Sequence, residues 1–262
     1  MTTALLHGLD SRGIATLTLN RPEVHNAFDD ALIAGLNTAL ACYSTHPDVK
    51  LLVLRSTGRS FSAGADLSWM QRMATYSRED NLADADELER LMAGIYNFPR
   101  PTLAIVQGAA FGGAVGLVSC CDIAVGSDKA SFSLSEAKLG LAPAVISPYV
   151  IAAIGARQSS RYFLTAERFS AQRAHELGLL HEVVTPDELE AAAGTLIDTL
   201  LGNGPIALMA CKAAIRKISP ATSPEIRAYT TELIASLRTS QEGQEGLRAF
   251  FEKRPAAWQK RD

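Results

Sequence analysis

Mostly apolar strand-like runs that alternate with helical segments are the feature that most constrains the fold of this chain. The runs at 14–19 (IATLTL), 49–55 (VKLLVLR) and 121–127 (CDIAVGS) are rich in Val, Ile and Leu and show little polar alternation. A strand that is apolar on both faces must be covered on both sides, which is typical of a parallel sheet between helices. The sequence therefore predicts an α/β fold.

Helical periodicity fills the segments between the strands and then takes over. Helices are predicted at 29–43 and at 78–96, the second of which is acidic and amphipathic. After Pro148 the pattern is almost entirely helical, and prolines at 186 and 205 suit the first turns of two further helices. We expect a core over residues 1–190 and a helical C-terminal region over residues 191–262.

Charge and hydropathy exclude several classes of protein. The chain has 262 residues, with 25 Lys and Arg against 28 Asp and Glu, a net charge of −3. No stretch concentrates basic residues as phosphate binding along a nucleic acid requires, so we expect no nucleic-acid partner. The apolar run at 103–118 is short and broken by glycines and Gln107, and the N-terminus does not resemble a signal peptide. We expect no membrane partner.

The cysteines indicate a reducing compartment. Cys42, Cys120, Cys121 and Cys211 show no CxxC spacing, and the adjacent pair sits in an apolar run. This pattern favours four buried, reduced thiols over a disulfide framework or a metal site. We expect a cytoplasmic protein without a metal.

Two glycine-bearing loops suit the binding of a ligand by backbone groups. The loop 61–67 reads FSAGADL, and the loop 111–114 reads FGGA and opens an apolar helix. Small residues let the backbone approach a ligand closely, and N–H groups at a helix N-terminus are unpaired and lie at positive potential. Such donors can stabilise an oxygen that becomes negative during a reaction. Each loop alone is equally consistent with a tight structural turn, and the second lacks the GxGxxG spacing of a dinucleotide site.

Glu136 is the candidate acid–base residue. It follows a short strand in the segment LSEAKLGL, among apolar neighbours. A buried carboxyl group there would have a raised pKa, which suits proton transfer near neutral pH. The alternative is an ordinary glutamate in the first turn of a helix that Ser135 caps.

Four ordered motifs resemble the enoyl-CoA hydratase/isomerase, or crotonase, superfamily: RPEVHNAF, GRSFSAGADL, QGAAFGGAVGLVSCCDIAV and SLSEAKLGLAP. The resemblance runs from about Ile14 to Val184, with a similar tail in EGLRAFFEKRPAAW. It implies a crotonase-like ββα spiral core that binds acyl-CoA. It also implies a C-terminal region that covers the active site and assembles a homotrimer or homohexamer. No separate cofactor is implied, because coenzyme A arrives as part of the thioester substrate.

The resemblance assigns roles residue by residue. The backbone N–H groups of Ala65 and Gly113 match the oxyanion hole, and Glu136 matches the second of two catalytic glutamates in typical hydratases. The positions that match the coenzyme A site are Glu23, Val24, His25, Ala27, Ala63, Ala65, Asp66, Leu67 and Ser68. Lys253, in the basic end of the last predicted helix (EGQEGLRAFFEKR), matches a basic position near the CoA phosphate.

Gly116 is the most informative departure from the family pattern, because the first catalytic glutamate belongs at that position. The segment AVISP at 144–148 also departs from a glycine-rich turn, which implies a reshaped acyl pocket. The finer resemblance is to the methylglutaconyl-CoA and carboxygeranoyl-CoA hydratase branch. It favours hydration of a branched or carboxylated enoyl-CoA such as 3-methylglutaconyl-CoA.

Two alternatives to hydration remain open. One glutamate suffices for a Δ3–Δ2 enoyl-CoA isomerase, which moves a proton between C4 and C2. A catalytically weak acyl-CoA binding protein is the other. A carboxylated substrate would require a cation near its acyl end, for which Arg72, Lys138 and Arg157 are candidates that also fit solvated surface charges.

Overall fold

The computed structural model describes residues 3–218 and 224–256 and contains two sheets and a series of helices. In chain order the strands are β1 (Leu5–Leu9), β2 (Ile14–Leu19), β3 (Leu51–Ser56), β4 (Thr102–Val106), β5 (Ala110–Phe111), β6 (Ile123–Ser127), β7 (Ser131–Ser133), β8 (Arg168–Ser170) and β9 (Glu182–Val184). The α-helices are α1 (Asp30–Thr45), α2 (Leu67–Met73), α3 (Arg78–Tyr96), α4 (Gly113–Cys120), α5 (Ser147–Thr165), α6 (Ala171–Glu176), α7 (Leu189–Leu201), α8 (Pro205–Ile218), α9 (Pro224–Thr239) and α10 (Gln241–Phe251). Short 3₁₀ helices span Pro22–Val24, Glu136–Leu139 and Pro186–Glu188.

The larger sheet has six strands in the order β1-β2-β3-β4-β6-β9. β1 and β2 pair antiparallel, and every other neighbouring pair is parallel. Helices cover both faces, because alternate residues of β3 enter different cores. Leu52 and Leu54 join the main core, whereas Leu51 and Val53 pack with α7 on the opposite face. This two-sided burial is why the strands lack polar alternation.

The smaller sheet, in the order β5-β7-β8, brings two loops together. β5 and β7 are parallel, with Phe111 opposite Ser133, and the chain leaves both strands at the same end. The Gly112 N–H continues this pairing by donating to the Ser133 carbonyl at 2.8 Å. The start of α4 and the segment that carries Glu136 are therefore neighbours.

Side-chain ion pairs attach the C-terminal helices to the core. Lys212 and Arg216 of α8 donate to Asp122 at 2.6 and 2.9 Å, beside the sheet. Arg238 of α9 pairs with Asp84 of α3 at 2.9 Å.

Most predicted elements are confirmed, with shifts at their ends. The strand at 14–19 and the helix at 78–96 coincide with β2 and α3, and Pro205 begins α8. The prediction that the chain is almost entirely helical after Pro148 is wrong at β8 and β9, which are too short to carry a periodic signal. The last predicted helix ends earlier, at Phe251.

Two further expectations need comment. The prediction of four buried thiols is wrong for Cys42 and Cys211, which are exposed, whereas Cys120 is buried and Cys121 is partly buried. The boundary at residue 190 stays a prediction; it lies in the first turn of α7, whose Leu189 and Ala193 pack on the sheet. The tail beyond residue 256 lies outside the described residues. In the described part of the chain, no helix combines the length and apolar character that a membrane crossing requires.

Candidate active site

The two glycine loops predicted to bind a ligand lie against each other. The first is held by pairing with the chain on both sides: Phe28 N–H donates to the Gly64 carbonyl at 2.9 Å, and Phe111 N–H donates to the Ser62 carbonyl at 3.0 Å. Gly64 has a φ of +88°, and a Cβ atom there would lie 2.7 Å from the Phe111 carbonyl oxygen. Only glycine fits this crossing without strain.

Ala65 and Gly113 supply the free donors of this crossing. Among the described residues, neither backbone N–H donates a hydrogen bond. By contrast, one neighbouring amide in each loop does donate: the Asp66 N–H to the Phe28 carbonyl at 3.0 Å, and the Gly112 N–H to the Ser133 carbonyl. Gly113 is the first residue of α4, so its N–H lies at the positive end of that helix. The two amides border one cavity, where they can stabilise an oxygen atom that gains negative charge.

Glu136 faces the same crossing. Its Oε1 lies beside Gly112, where a Cβ atom would be 3.3 Å away, and its Oε2 is buried with no hydrogen-bond partner among the described residues. Burial raises the pKa of Glu136 to about 7, because the charged form loses its hydration. Glu136 also stands in the first turn of a 3₁₀ helix with Ser135 at the cap position, as the alternative predicts, but the Ser135 side chain makes no capping hydrogen bond.

Helix α10 fixes the turn that carries Glu136. Gly246 packs so tightly on this turn that a Cβ atom would lie 2.0 Å from the Leu139 carbonyl oxygen. This close approach of α10 holds the 3₁₀ helix Glu136–Leu139 against the cavity. The C-terminal region therefore contributes to the position of the candidate acid–base residue.

The cavity at this site has a volume of about 320 Å³ and is mainly apolar. Apart from the loop residues, its walls come from α2, α3, the segment 135–146 and the C-terminal helices. The lining side chains that are not glycine or alanine are Phe28, Leu67, Trp69, Met70, Met73, Leu88, Ser135, Glu136, Lys138, Leu139, Leu141, Pro143, Val145, Ile146, Ile234, Arg238, Leu247 and Phe250. Within this described lining, Glu136 is the only carboxyl group.

Ile146 occupies the space that a side chain at position 116 would need. A Cβ atom on Gly116 would lie 2.3 Å from Ile146 Cγ2 and 3.3 Å from Met92 Cε. Gly116 is itself buried on α4. Ile146, in the AVISP segment, therefore fills the space into which a side chain at position 116 would extend.

The residues predicted to bind coenzyme A divide into two groups. The Ala63 N–H donates to the His25 carbonyl at 2.9 Å, which joins the loop that follows Pro22–Val24 to the first glycine loop. Ala63, Ala65 and Leu67 line the cavity, whereas the other predicted positions are not part of its lining: Glu23, Val24, His25, Ala27, Asp66 and Ser68. Lys253 is exposed just beyond α10 and does not line the cavity. These assignments to the coenzyme A site stay predictions.

Asp66 has a clear local role. It caps α2 by accepting hydrogen bonds from the N–H groups of Ser68 and Trp69, and it pairs with Arg21 at 2.9 Å. Burial alone would raise the pKa of Asp66, but the hydrogen bonds from Ser68 and Trp69 and the charge of Arg21 outweigh it and lower the pKa. The carboxylate therefore orients the start of α2 and the loop before it.

The three candidate cations are placed differently. Arg72 pairs with exposed Asp30 at 2.7 Å, and Arg157 is exposed on α5; neither lines the cavity. Lys138 lines it but is exposed. Arg238, which lines the cavity and is buried, was not predicted. Its only sequence signal is its place four residues after Ile234, on the face of α9 that also holds Thr230, Thr231 and Ala235.

Comparison with known proteins identifies the family. The family model described as enoyl-CoA hydratase/isomerase matches residues 10–261. The chain belongs to the enoyl-CoA hydratase/isomerase family. A solved enoyl-CoA hydratase from Shewanella pealeana is 47% identical, with a TM-score of 0.81, over 98% of this chain and 96% of that one. The 2,3-dehydroadipyl-CoA hydratase of Escherichia coli is 32% identical over 92% of this chain and 93% of its own. The trans-2-decenoyl-[acyl-carrier-protein] isomerase of Streptococcus mutans is 30% identical over 95% of both chains.

The crotonase-like α/β fold and the enzyme class predicted from the motifs are thereby confirmed. This member of the hydratase/isomerase family places two glycine loops and one carboxyl group with a buried oxygen around one mainly apolar cavity. An acyl-CoA thioester substrate is consistent with the family.

Proposed function

We propose that this enzyme adds water across the C2–C3 double bond of an enoyl-CoA thioester, with Glu136 as the acid–base residue. The observation that carries the proposal is the unpartnered Oε2 of Glu136, buried beside two amides, of Ala65 and Gly113, that have no partner among the described residues. A buried carboxyl oxygen without a hydrogen bond costs free energy of folding. Its partner in the working enzyme is therefore the substrate.

The chemistry follows from the charge that develops during the reaction. The thioester oxygen accepts hydrogen bonds from the Ala65 and Gly113 N–H groups and gains negative charge as water adds to C3. Loss of one such donor costs roughly 3–4 kcal/mol in comparable sites. The neutral carboxyl group of Glu136 then gives its proton to C2, and the attacking water loses one proton to solvent. The Glu136 carboxylate takes up a proton from solvent, which restores the acid. In the reverse direction the Glu136 carboxylate removes the C2 proton.

Water must be held without a carboxylate at position 116. Ile146 excludes a side chain there, so backbone groups of the cavity wall hold the attacking water in our proposal. This arrangement gives less activation of water than two carboxylates give. A substrate whose C3 is activated or well oriented would compensate.

The proposed substrate carries a branched or carboxylated acyl group, such as 3-methylglutaconyl-CoA. Two observations support it: the resemblance to that hydratase branch, and the named substrate of the Escherichia coli relative, 2,3-dehydroadipyl-CoA, whose acyl chain ends in a carboxylate. A cavity of about 320 Å³ with mainly apolar walls holds a short, branched chain.

Coenzyme A would bind along the two joined loops as part of the substrate. Ala63 and Leu67 present backbone and apolar surface at the cavity edge, and Lys253 would meet a CoA phosphate. We extend the proposal to a homotrimer or homohexamer in the cytoplasm.

Isomerisation is the second candidate, and a specific observation favours it. Among the described residues that line the cavity, Glu136 is the only acid, and one carboxylate suffices to move a proton from C2 to C4. The Streptococcus mutans relative carries the name of an isomerase.

Turnover of three thioesters separates these functions: 3-methylglutaconyl-CoA, crotonyl-CoA and a 3-enoyl-CoA, each with wild type and Glu136→Gln. Hydration of the carboxylated substrate that is lost in the variant supports our proposal. Turnover of the 3-enoyl-CoA alone would make the enzyme an isomerase. Tight binding of all three without any turnover would instead support an acyl-CoA binding protein.

A further inference from the structure

A buried ion pair forms part of the otherwise apolar cavity wall. The Arg238 side chain, on α9, is 8% exposed and borders the cavity. Its Nη1 donates to Asp84 Oδ2 at 2.9 Å, and the other oxygen of Asp84 accepts from Trp69 Nε1 at 3.1 Å. Asp84, itself held by Trp69 of the cavity wall, thus fixes the guanidinium.

Packing alone does not account for this pair. Two buried charges lose hydration, and a well-packed apolar pair in the same space is often equally stable or more stable. Burial opposes the charged form of both groups: it lowers the pKa of Arg238 and raises the pKa of Asp84. A charged group kept at a cavity wall despite this cost calls for a role toward what the cavity holds.

The guanidinium retains donors for a second acceptor. Of its five N–H groups, the contacts within the described chain engage one, on Nη1. An arginine stays charged at neutral pH, and its planar fork can bind two carboxylates along different edges. Lys138, the other cation of the described lining, is exposed to solvent, which screens its charge.

We infer that Arg238, held in place by Asp84, is the residue that selects an acyl chain ending in a carboxylate. The inference rests on the proposed function, since it takes the cavity to hold the acyl group of a CoA thioester. Arg238 does not take part in proton transfer. It sets which acyl chain binds, through a charge-assisted hydrogen bond in an apolar wall.

Binding of saturated thioesters tests this role without any chemistry. Glutaryl-CoA and pentanoyl-CoA have acyl chains of the same carbon number, one with a terminal carboxylate, and neither has a C2–C3 double bond to hydrate. Wild type is expected to bind glutaryl-CoA more tightly in isothermal titration calorimetry. The preference is the ratio of the Kd of pentanoyl-CoA to the Kd of glutaryl-CoA. Arg238→Met is expected to lower this ratio by about tenfold or more, because a charged hydrogen bond to the carboxylate is lost. The Kd of pentanoyl-CoA itself is expected to change by less than about threefold.

Two further variants keep the test decisive. Arg238→Lys retains the charge without the fork, and it is expected to fold and to lower the preference by about threefold or more, even if Arg238→Met does not fold. Lys138→Met removes the other cation and is expected to leave the preference unchanged.

Three outcomes would overturn the inference: equal affinity of wild type for both ligands, a parallel loss of both affinities in the Arg238 variants, or a preference that depends on Lys138. Parallel loss would assign Arg238 to the attachment of α9 alone. The proposed reaction fails separately, if the saturated thioesters bind with the expected preference but 3-methylglutaconyl-CoA is not hydrated.

Discussion

At the scale of single residues, the chemistry depends on one carboxyl group whose surroundings are apolar. Glu136 has its Oε2 buried and without a partner among the described residues, and burial raises its pKa to about 7. A group with that pKa is present in both protonation states near neutrality. It can therefore give and take a proton at low cost.

The pH dependence of kcat/KM is expected to separate hydration from isomerisation. Hydration needs the neutral acid, so its rate is expected to be highest below pH 7 and to fall as pH rises through about 7. Isomerisation begins with removal of a C2 proton by the carboxylate, so its rate would rise through the same pH. Initial rates between pH 5.5 and 8.5 on 3-methylglutaconyl-CoA and on a 3-enoyl-CoA check the sign. A flat profile on both would remove Glu136 from the mechanism.

Glu136→Gln is expected to stabilise the fold at high pH. The pKa of the group rises from 4.5 to about 7 on folding, so the stability it contributes is present below pH 4.5 and is lost as pH rises through 7. Glutamine is neutral throughout. The stability of the variant relative to wild type should increase by about 3 kcal/mol between pH 4.5 and pH 8, measured by urea denaturation.

The matched control is Glu182→Gln, at an exposed position of β9. Its stability relative to wild type should change by less than about 1 kcal/mol over the same range. An equal response in the two variants would mean that Glu136 is hydrated in the native state.

The sequence alone predicts Ala65, Gly113 and Glu136 because each sits in a local motif. It does not predict Arg238, because nothing near α9 in the chain marks a cavity wall. Asp84, the partner of Arg238, lies 154 residues earlier in the chain, and only the folded chain brings the two side chains together.

At the scale of elements, helix α4 and the segment before α5 fit together at Gly116. Gly116→Ala is expected to destabilise the enzyme by about 1–3 kcal/mol, because its methyl group would overlap Ile146 Cγ2. In an Ile146→Ala background the same change is expected to cost less, with a coupling energy of about 0.5–3 kcal/mol. Urea denaturation of the four proteins gives the coupling.

Gly194→Ala is the matched control for a glycine inside a helix. A Cβ atom at this position of α7 has nothing within 4 Å, so the substitution is expected to stabilise by about 0.5–1 kcal/mol. If Gly116→Ala were as favourable as Gly194→Ala, position 116 would have room for a side chain. The steric explanation of Gly116 would then be wrong.

The elements that sequence patterns predict are those with enough residues to show a period. β2 and α3 match their predicted ranges because six and 19 residues carry strand and helix patterns. β9 has three residues and owes its place to pairing with β6, which no local pattern records.

At the scale of the whole molecule, the C-terminal helices form part of the site and are not a separate region beside it. α9 and α10 contribute Ile234, Arg238, Leu247 and Phe250 to the cavity lining, and Gly246 of α10 packs on the Glu136 turn. A division of the chain near residue 190 therefore separates two parts that share one cavity.

Asp122 is expected to be the main polar attachment of α8. It accepts from Lys212 at 2.6 Å, from Arg216 at 2.9 Å and from the Thr102 N–H at 2.8 Å. Asp122→Asn would leave the buried Lys212 without a counter-charge. We expect a loss of about 3–5 kcal/mol in stability and faster hydrogen exchange across α8.

The control for charge removal is Asp128→Asn, which breaks an exposed pair with Lys129 at 3.3 Å. Its cost should stay below about 1 kcal/mol, with unchanged exchange in α8. Equal effects of the two variants would show that apolar contacts alone attach α8.

Deuterium incorporation at C2 tests the central claim most directly. Wild type and Glu136→Gln would be supplied with 3-methylglutaconyl-CoA in D₂O, and the product followed by NMR and mass spectrometry. Proton delivery by Glu136 predicts one deuterium at C2 of the hydrated product. Glu136→Gln is expected to form this product at least about 100-fold more slowly than wild type, and to bind glutaryl-CoA with a Kd within about threefold of the wild-type value. Hydration by Glu136→Gln at the wild-type rate would contradict the assignment of Glu136 as the acid–base residue.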